Sequence, residues 1–348
     1  MTDKEKRLVS PAAEAVRGDS NSVAALLEVR DLRVAFDLGG GRTLQAVSSF
    51  SLQVFPGERV GLVGESGCGK TTAVLALMGL LPPTATVGGK ILFEGEDILH
   101  RGEDSLRPHR WRDIAIVFQG AMNAFNPVKT IGAQIAEPIT MYGTEGVRNS
   151  RDRVAELLEL VGIPGARASS YPHVLSGGMR QRAAIAMALA CRPKLLLADE
   201  PTTSLDVMIQ AQILELLAEL TDELRLSLLL VTHDLALVAQ HCSQTVVMYA
   251  GRVVEEGTPD VLYHHPGHPY TRLLFASTPD VFANEKPVSI PGAPPRLDAP
   301  VRGCVFAPRC DRTFSRCSTE RPASRALAPR HTAACHLNDS PEVDSPLQ

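Results

Sequence analysis

Residues 61–72 read GLVGESGCGKTT. Gly64, Gly69, Lys70 and Thr71 stand at the spacing of a phosphate loop. Such a loop folds its glycine-rich backbone around phosphates, so that successive N–H groups along Glu65, Ser66, Gly67 and Cys68 point inward. Lys70 is placed to reach the β- and γ-phosphates and the Thr71 hydroxyl to ligate Mg2+, with Thr72 next in line. The context agrees. SFSLQVFPGERVGLVG (residues 49–64) reads as strand leading into the loop, and GKTTAVLALMGLL (69–81) reads as the helix leaving it.

Outward from the loop, LLEVRDLRVAF (26–36) is a further strand, and RDRVAELLELVGI (151–163) puts Val154, Leu157, Leu158 and Val161 on one helical face. KLLLADE (194–200) and SLLLVTHD (227–234) are short apolar runs that end in polar groups. That pattern fits parallel strands buried on both faces, with functional residues at their carboxyl ends. VVMYAGRVVEEG (246–257) reads as a final hairpin turning at Ala250-Gly251. The expected class is α/β.

The strand ends carry the chemistry. Asp199 and Glu200 are adjacent carboxylates, so at a strand end they can serve different tasks: Asp199 behind Mg2+, Glu200 polarising an attacking water. His233 ends a second buried strand as a γ-phosphate sensor, and Gln119 of IVFQG (116–120) ends a third, within reach of Mg2+ or the water. Taken singly, each has a bland alternative, an acidic helix start, a structural histidine or a surface glutamine. A phosphate loop in the same chain favours the chemical role. A second anion cradle stands at VLSGGMRQRAAIAMALA (174–190), where Ser176-Gly177-Gly178 opens a helix with no phosphate-binding lysine at the right spacing.

At 348 residues the chain can bury one large core or two modest ones, and its 44% hydrophobic content is ordinary for a soluble globular protein. A net charge of -4 gives no electrostatic reason to expect nucleic acid or an anionic membrane surface as partner. The opening residues, 1–25, are charged and rich in small residues, so a disordered tail without a signal peptide is expected. No apolar run approaches the roughly 20 residues of a membrane span, so any membrane role requires separate membrane subunits. Four of the seven cysteines, Cys304, Cys310, Cys317 and Cys335, crowd the last fifth at C-x5-C-x6-C-x17-C spacing. An odd total argues against a disulfide framework; four thiolates can hold zinc or an iron–sulfur cluster, and four unligated thiols are the alternative.

In this order the phosphate loop, Gln119, LSGGMRQR, LLLADEP, the SLD of Ser204 to Asp206, and His233 resemble the ATP-binding cassette (ABC) ATPases from about Leu26 to Gly257. The resemblance implies two cassettes packed head to tail, each ATP clamped between one phosphate loop and the other cassette's signature turn. Ser176, Gly177 and Gly178 would then cradle the partner's γ-phosphate, which explains the missing lysine. Asp206 would lie at the dimer interface, Phe36 would stack on adenine, and Mg2+ would be held by Thr71, Gln119 and Asp199.

FQGAMNAFNPVKTIGAQIAEP (118–138), YPHVLSGGMRQR, ADEPTTSLDVMIQAQILELL, HHPGHPYTRLLFASTPD and CVFAPRC resemble the oligopeptide/dipeptide importer branch. That implies a phosphate-loop cassette at 26–257 with a helical subdomain at about 120–190, hinged at Gln119, and a small carboxyl-terminal domain at 258–348, an importer-type extension with the four cysteines and a flexible end. It implies as partners a second cassette of paralogous sequence, two transmembrane permease subunits and an extracellular substrate-binding protein. The chain itself would lie on the cytoplasmic face of the membrane. Some members carry a [4Fe-4S] cluster on a similar cysteine set, which favours that over zinc at Cys304, Cys310, Cys317 and Cys335. Peptides are the expected cargo; importers of nickel, oligosaccharide or glutathione share the branch. A soluble ABC ATPase acting on DNA or ribosomes fits less well, because a long coiled coil and a second cassette in the same chain are both missing.

Overall fold

The computed structural model describes residues 24–120, 124–143, 150–277, 289–298 and 301–339. Its strands are β1 (Leu27–Asp37), β2 (Thr43–Val54), β3 (Arg59–Val63), β4 (Ala85–Phe93), β5 (Glu96–Asp97), β6 (Ile114–Val117), β7 (Leu195–Asp199), β8 (Ser227–Val231), β9 (Gln244–Tyr249), β10 (Arg252–Gly257), β11 (Arg325–Ala328) and β12 (His331–Ala333). They line up as β5-β4-β1-β2-β10-β9-β3-β8-β7-β6, with β12 pairing β10 and β11. The β1, β2, β4 and β5 arm is antiparallel. From β9 through β3, β8 and β7 to β6 the strands run parallel.

Every residue of β7, β8 and β9 is buried. Alternate side chains of a strand point to opposite faces, and the core divides accordingly. Leu196, Ala198, Leu228 and Leu230 join the cluster that takes in the helices between β6 and β7. Leu195, Leu197, Leu229 and Val231 join the cluster under the antiparallel arm and the helix after the phosphate loop. The middles of β7 and β8 are therefore wholly apolar, and their buried polar residues, Ser227 and Asp199, stand at strand ends.

Three helices, Ile131–Tyr142, Ser150–Leu160 and Gly177–Ala188, occupy the connection between β6 and β7. Val154, Leu157, Leu158 and Val161 are all buried, as their spacing requires. The helix after the phosphate loop is shorter than its sequence reading. It runs Lys70–Leu77 and stops because Gly79 adopts φ +61°, where a Cβ would strike Leu106. The hairpin turns at Ala250 (φ 49°) and Gly251 (φ 77°), both in the left-handed region that tight hairpins require.

That hairpin is not the last. The pair β11 and β12 follows, too short to carry a period-2 signal, and β12 pairs antiparallel with β10 at Glu255 and Glu256. The buried Glu255 carboxylate accepts hydrogen bonds from the backbone N–H of Gly267 and His268 and sits 2.8 Å from the His331 ring. Leu262, Tyr270 and Phe306 belong to the same hydrophobic cluster as Leu196, Ala198, Leu228 and Leu230, so residues after Gly257 share one face of the main sheet's core.

His268 caps the helix Pro269–Ala276; its Nδ1 accepts from the Tyr270 N–H at 3.0 Å. Burial drives its pKa down from 6.5 to about 3, so the native ring stays neutral where the unfolded ring takes a proton. Between those values the unfolded state binds more protons, and stability falls as pH drops from 6.5 towards 3. His268→Asn keeps a capping acceptor without a titrating ring. Urea unfolding should show that the variant loses less stability than the wild type between pH 6.5 and 4. Equal losses would contradict this placement of the proton.

Candidate active site

Four strands deliver their carboxyl ends to one edge. Parallel register sets Leu62 of β3 and Asp199 of β7 both beside Val231 of β8, and Val117 of β6 beside Ala198. The residues that follow, the phosphate loop, Glu200, His233 and Gln119, are neighbours for that reason alone.

Backbone crowding makes glycine necessary at two loop positions. A Cβ on Gly64 (φ 151°) would lie 2.1 Å from the Met248 carbonyl oxygen, and one on Gly69 (φ 105°) 2.5 Å from that of Ala46. Ser66 and Gly67 are exposed at the loop's crest and Cys68 is buried beneath it. The buried Lys70 donates from Nζ to the carbonyls of Gly64 (2.7 Å) and Glu65 (3.1 Å), so it is held across the loop's mouth. Burial pushes the Cys68 thiol up, and nearby Lys70 opposes that shift. Thr71 donates its hydroxyl to Asp199 Oδ1 at 3.2 Å, and Thr72 is half-buried in the following turn.

Asp199 is 2% exposed, and its carboxyl is raised above the usual range, chiefly by burial, with Glu200 adding to the rise. Thr71 and Lys70 act the other way. A divalent cation would favour the ionised form, and the hydroxyl, carboxylate and amide oxygens of Thr71, Asp199 and Gln119 suit Mg2+.

Glu200 sits at φ 44°, a costly conformation for a residue with a side chain. Its Oε2 accepts from Gln119 Nε2 at 2.9 Å and from the Thr203 hydroxyl at 3.0 Å. His233 Nδ1 lies 3.6 Å from Glu200 Oε1, with the imidazole 72% exposed. Gln119, Glu200 and His233 thus form one cluster drawn from three strands. The other candidates stand apart from it. Ser176 caps the helix Gly177–Ala188, accepting from the Met179 N–H at 3.3 Å, and Asp206 caps the helix Val207–Leu224, accepting from Ile209 at 3.0 Å. Gly178 lets the two helices approach, since a Cβ there would come within 2.9 Å of Ile209. Among the described residues no hydrogen bond joins Ser176, Gly177, Gly178 or Asp206 to the phosphate loop. Phe36 is half-buried on β1, opposite Leu44 and Ala85.

Sequence reading did not anticipate what Glu65 does. Its carboxylate is taken by Arg309, and its N–H donates to the Tyr270 hydroxyl at 2.9 Å, so it aims neither group at a phosphate. A lone arginine in CVFAPRC, 244 positions away, gives no periodic signal of that contact.

Cys304, Cys310, Cys317 and Cys335 line one cavity, closed by His268, Phe306 and His336. All seven cysteines are free thiols. Backbone N–H groups are aimed at three of the four sulfurs: Phe306 and Ala307 at Cys304, Arg312 at Cys310, and Leu337 at Cys335. Burial nonetheless raises these three thiols, Cys335 to about 11. Among the described residues no group of three or more His, Cys, Asp or Glu converges to hold a metal ion. The expected metal centre therefore has no ready-made set of ligands. A tetrahedral zinc would need its sulfurs about 2.3 Å from one point, and they are not so drawn together.

The profile described as ABC transporter matches residues 47–203, and the one described as Oligopeptide/dipeptide transporter, C-terminal region, matches 254–317. The dipeptide transport ATP-binding protein DppD of Escherichia coli (strain K12) is 46% identical over 90% of this chain and 96% of its own. A probable peptide ABC transporter ATP-binding protein of Sinorhizobium fredii is 44% identical over 92% and 97% respectively. Among solved structures, a dimeric ATP-binding cassette in a post-hydrolysis state with ADP and Pi superposes with TM-score 0.59 at 28% identity, covering 67% of this chain and 98% of that one. Fold and strand-end groups together are those of an ATP-hydrolysing ABC cassette. The chain belongs to the ATP-binding subunits of the dipeptide/oligopeptide ABC transporter family. Among the described residues no helix is long and apolar enough to cross a membrane.

Proposed function

We propose that this chain hydrolyses ATP to drive uptake of dipeptides or oligopeptides through two separate permease subunits, fed by an extracellular binding protein. The observation that carries the peptide assignment is the match of residues 254–317, from within β10 onward, to the carboxyl-terminal region of oligopeptide/dipeptide transporters. The proposed cycle is ATP-driven closure of two cassettes, hydrolysis, and reopening. Lys70 and the loop's N–H groups bind the phosphates, and Thr71, Gln119 and Asp199 would hold Mg2+, which would neutralise phosphate charge. Glu200 orients the attacking water, with His233 beside it on the phosphate. Phosphoryl transfer rests on such positioning and charge stabilisation, with little covalent work for the protein.

The second cassette, a paralogue in this reading, completes each site with its signature turn. Ser176, Gly177 and Gly178 do the same for the partner's ATP, with Asp206 at the interface and Phe36 against adenine. Two features favour that arrangement. Among the described residues no hydrogen bond ties the signature turn to its own chain's phosphate loop, and Val207 and Met208, next to Asp206, are 79% and 71% exposed. The helical segment at about 120–190 is assigned to the permease contact and would hold the chain at the cytoplasmic face of the membrane. It carries exposed Val128, Met141, Tyr171 and Val174.

Glu200→Gln keeps the shape and the contacts with Gln119 and Thr203 but removes the charge. In vesicles holding the assembled transporter, its partner cassette's own site disabled, the variant should bind ATP normally. Hydrolysis and uptake of labelled dipeptide should fall at least a hundredfold. Near-normal turnover would overturn the role of Glu200, and ATP turnover without dipeptide uptake in the wild type would overturn the cargo.

The four cysteines are proposed to hold a [4Fe-4S] cluster of structural purpose. Four thiols on one cavity, three with backbone N–H donors, suit a group that spreads its thiolates wider than a single ion does. Anaerobic protein should contain iron and sulfide and absorb near roughly 400 nm. Changing any one of the four to Ser should bleach it, whereas Cys191→Ser should not. Zinc without iron, or no metal, would end this proposal.

A further inference from the structure

Arg309 is the most thoroughly engaged side chain outside the strand-end cluster. Its Nη1 and Nη2 donate to the two carboxylate oxygens of Glu65 at 2.6 and 2.9 Å. Nη1 also donates to the Tyr249 hydroxyl (3.2 Å) and Nε to the Pro291 carbonyl (2.7 Å). The guanidinium side chain is 4% exposed against 23% for Glu65, so the pair is shielded on the arginine side. Tyr249 packs against Tyr270, ring centroids 4.6 Å apart, and Tyr270 holds the Glu65 N–H. The second residue of the phosphate loop is therefore fixed through both its backbone and its side chain. Three of those partners, Arg309, Tyr270 and Pro291, come from beyond β10.

A phosphate loop binds through N–H groups that must already point inward, and ordering them at the moment of binding costs affinity. The Glu65 carbonyl is also one of the two backbone anchors of Lys70 Nζ. A shift of Glu65 moves loop and lysine together. We propose that Arg309 is a positioning residue for nucleotide binding, by which the carboxyl-terminal region presets the phosphate loop for ATP without touching it. A planar guanidinium in bidentate contact fixes direction as well as distance, which a lysine ammonium cannot do. Arg309 directly precedes Cys310, so one short segment carries this clamp and part of the wall of the cysteine cavity.

This rests on ATP binding at the phosphate loop, which the wild-type protein tests by itself. Calorimetric titration of the full chain with Mg-ATP should show Arg309→Ala weakening Kd about tenfold and Glu65→Gln weakening it by a similar factor. The double variant should be no weaker than the weaker single, because either change removes the same contact. In the assembled transporter Arg309→Ala should raise KM for ATP while kcat at saturating ATP stays within about twofold, since no transition-state group is lost. Arg309→Lys, which keeps the charge and the buried volume, should fall between wild type and Arg309→Ala; it serves if the alanine variant fails to fold. Folded Arg309→Ala or Arg309→Lys with wild-type Kd would overturn the proposal. So would multiplicative losses in the double variant, or a fall in kcat with KM unchanged. Wild-type protein that fails to bind ATP would instead overturn the reading of the loop.

Discussion

Burial of β7 and β8 on both faces is the constraint on which the rest of this molecule depends. Four consecutive buried apolar residues in each strand, Leu195 to Ala198 and Leu228 to Val231, leave no place for a polar side chain in the middle of the sheet. Asp199, Glu200 and His233 can therefore appear only where the strands run out, and the parallel register of β3, β8, β7 and β6 puts all four exits on one edge. Catalytic geometry here is a consequence of hydrophobic packing. The strained Glu200, held at φ 44° by Gln119 and Thr203, is the local exception that the packed core sustains.

That constraint explains what was legible in the sequence. Apolar runs ending in ADE and THD announce buried parallel strands and their chemical ends, and the phosphate loop fixes which edge matters. The helical face of Val154, Leu157, Leu158 and Val161 follows from spacing in the same way. Periodicity did not give the early stop of the helix after Leu77, because one left-handed glycine outweighs an apolar pattern that could have continued to Leu81. Nor did it give β11 and β12, a few residues each, which are held because β12 pairs with the stretch of β10 that β2 leaves unpaired.

The carboxyl-terminal region was the least legible part, for a different reason. Its structure depends on contacts over long sequence separations: Arg309 to Glu65, Arg330 to Glu58 and His331 to Glu255. None of these leaves a mark in local composition. The cysteine spacing drew attention to the right segment, and the fold brings those four residues to one cavity, yet a neighbouring arginine makes the contact with the nucleotide loop.

The composite site, shared between two cassettes, is the central claim, and Ser176→Arg tests it most directly. The substitution places a bulky cation in the signature turn of this chain. It also removes a helix cap worth about 1 kcal/mol, so folding is checked first by thermal unfolding. The informative measurement is the ATP affinity of the isolated folded variant, set beside ATP-driven closure of the assembled cassette pair. A signature turn that serves the partner's ATP predicts wild-type affinity in the isolated chain together with lost closure in the pair. Loss of affinity in the isolated chain as severe as that of Lys70→Ala would contradict it, since the turn would then belong to the chain's own site.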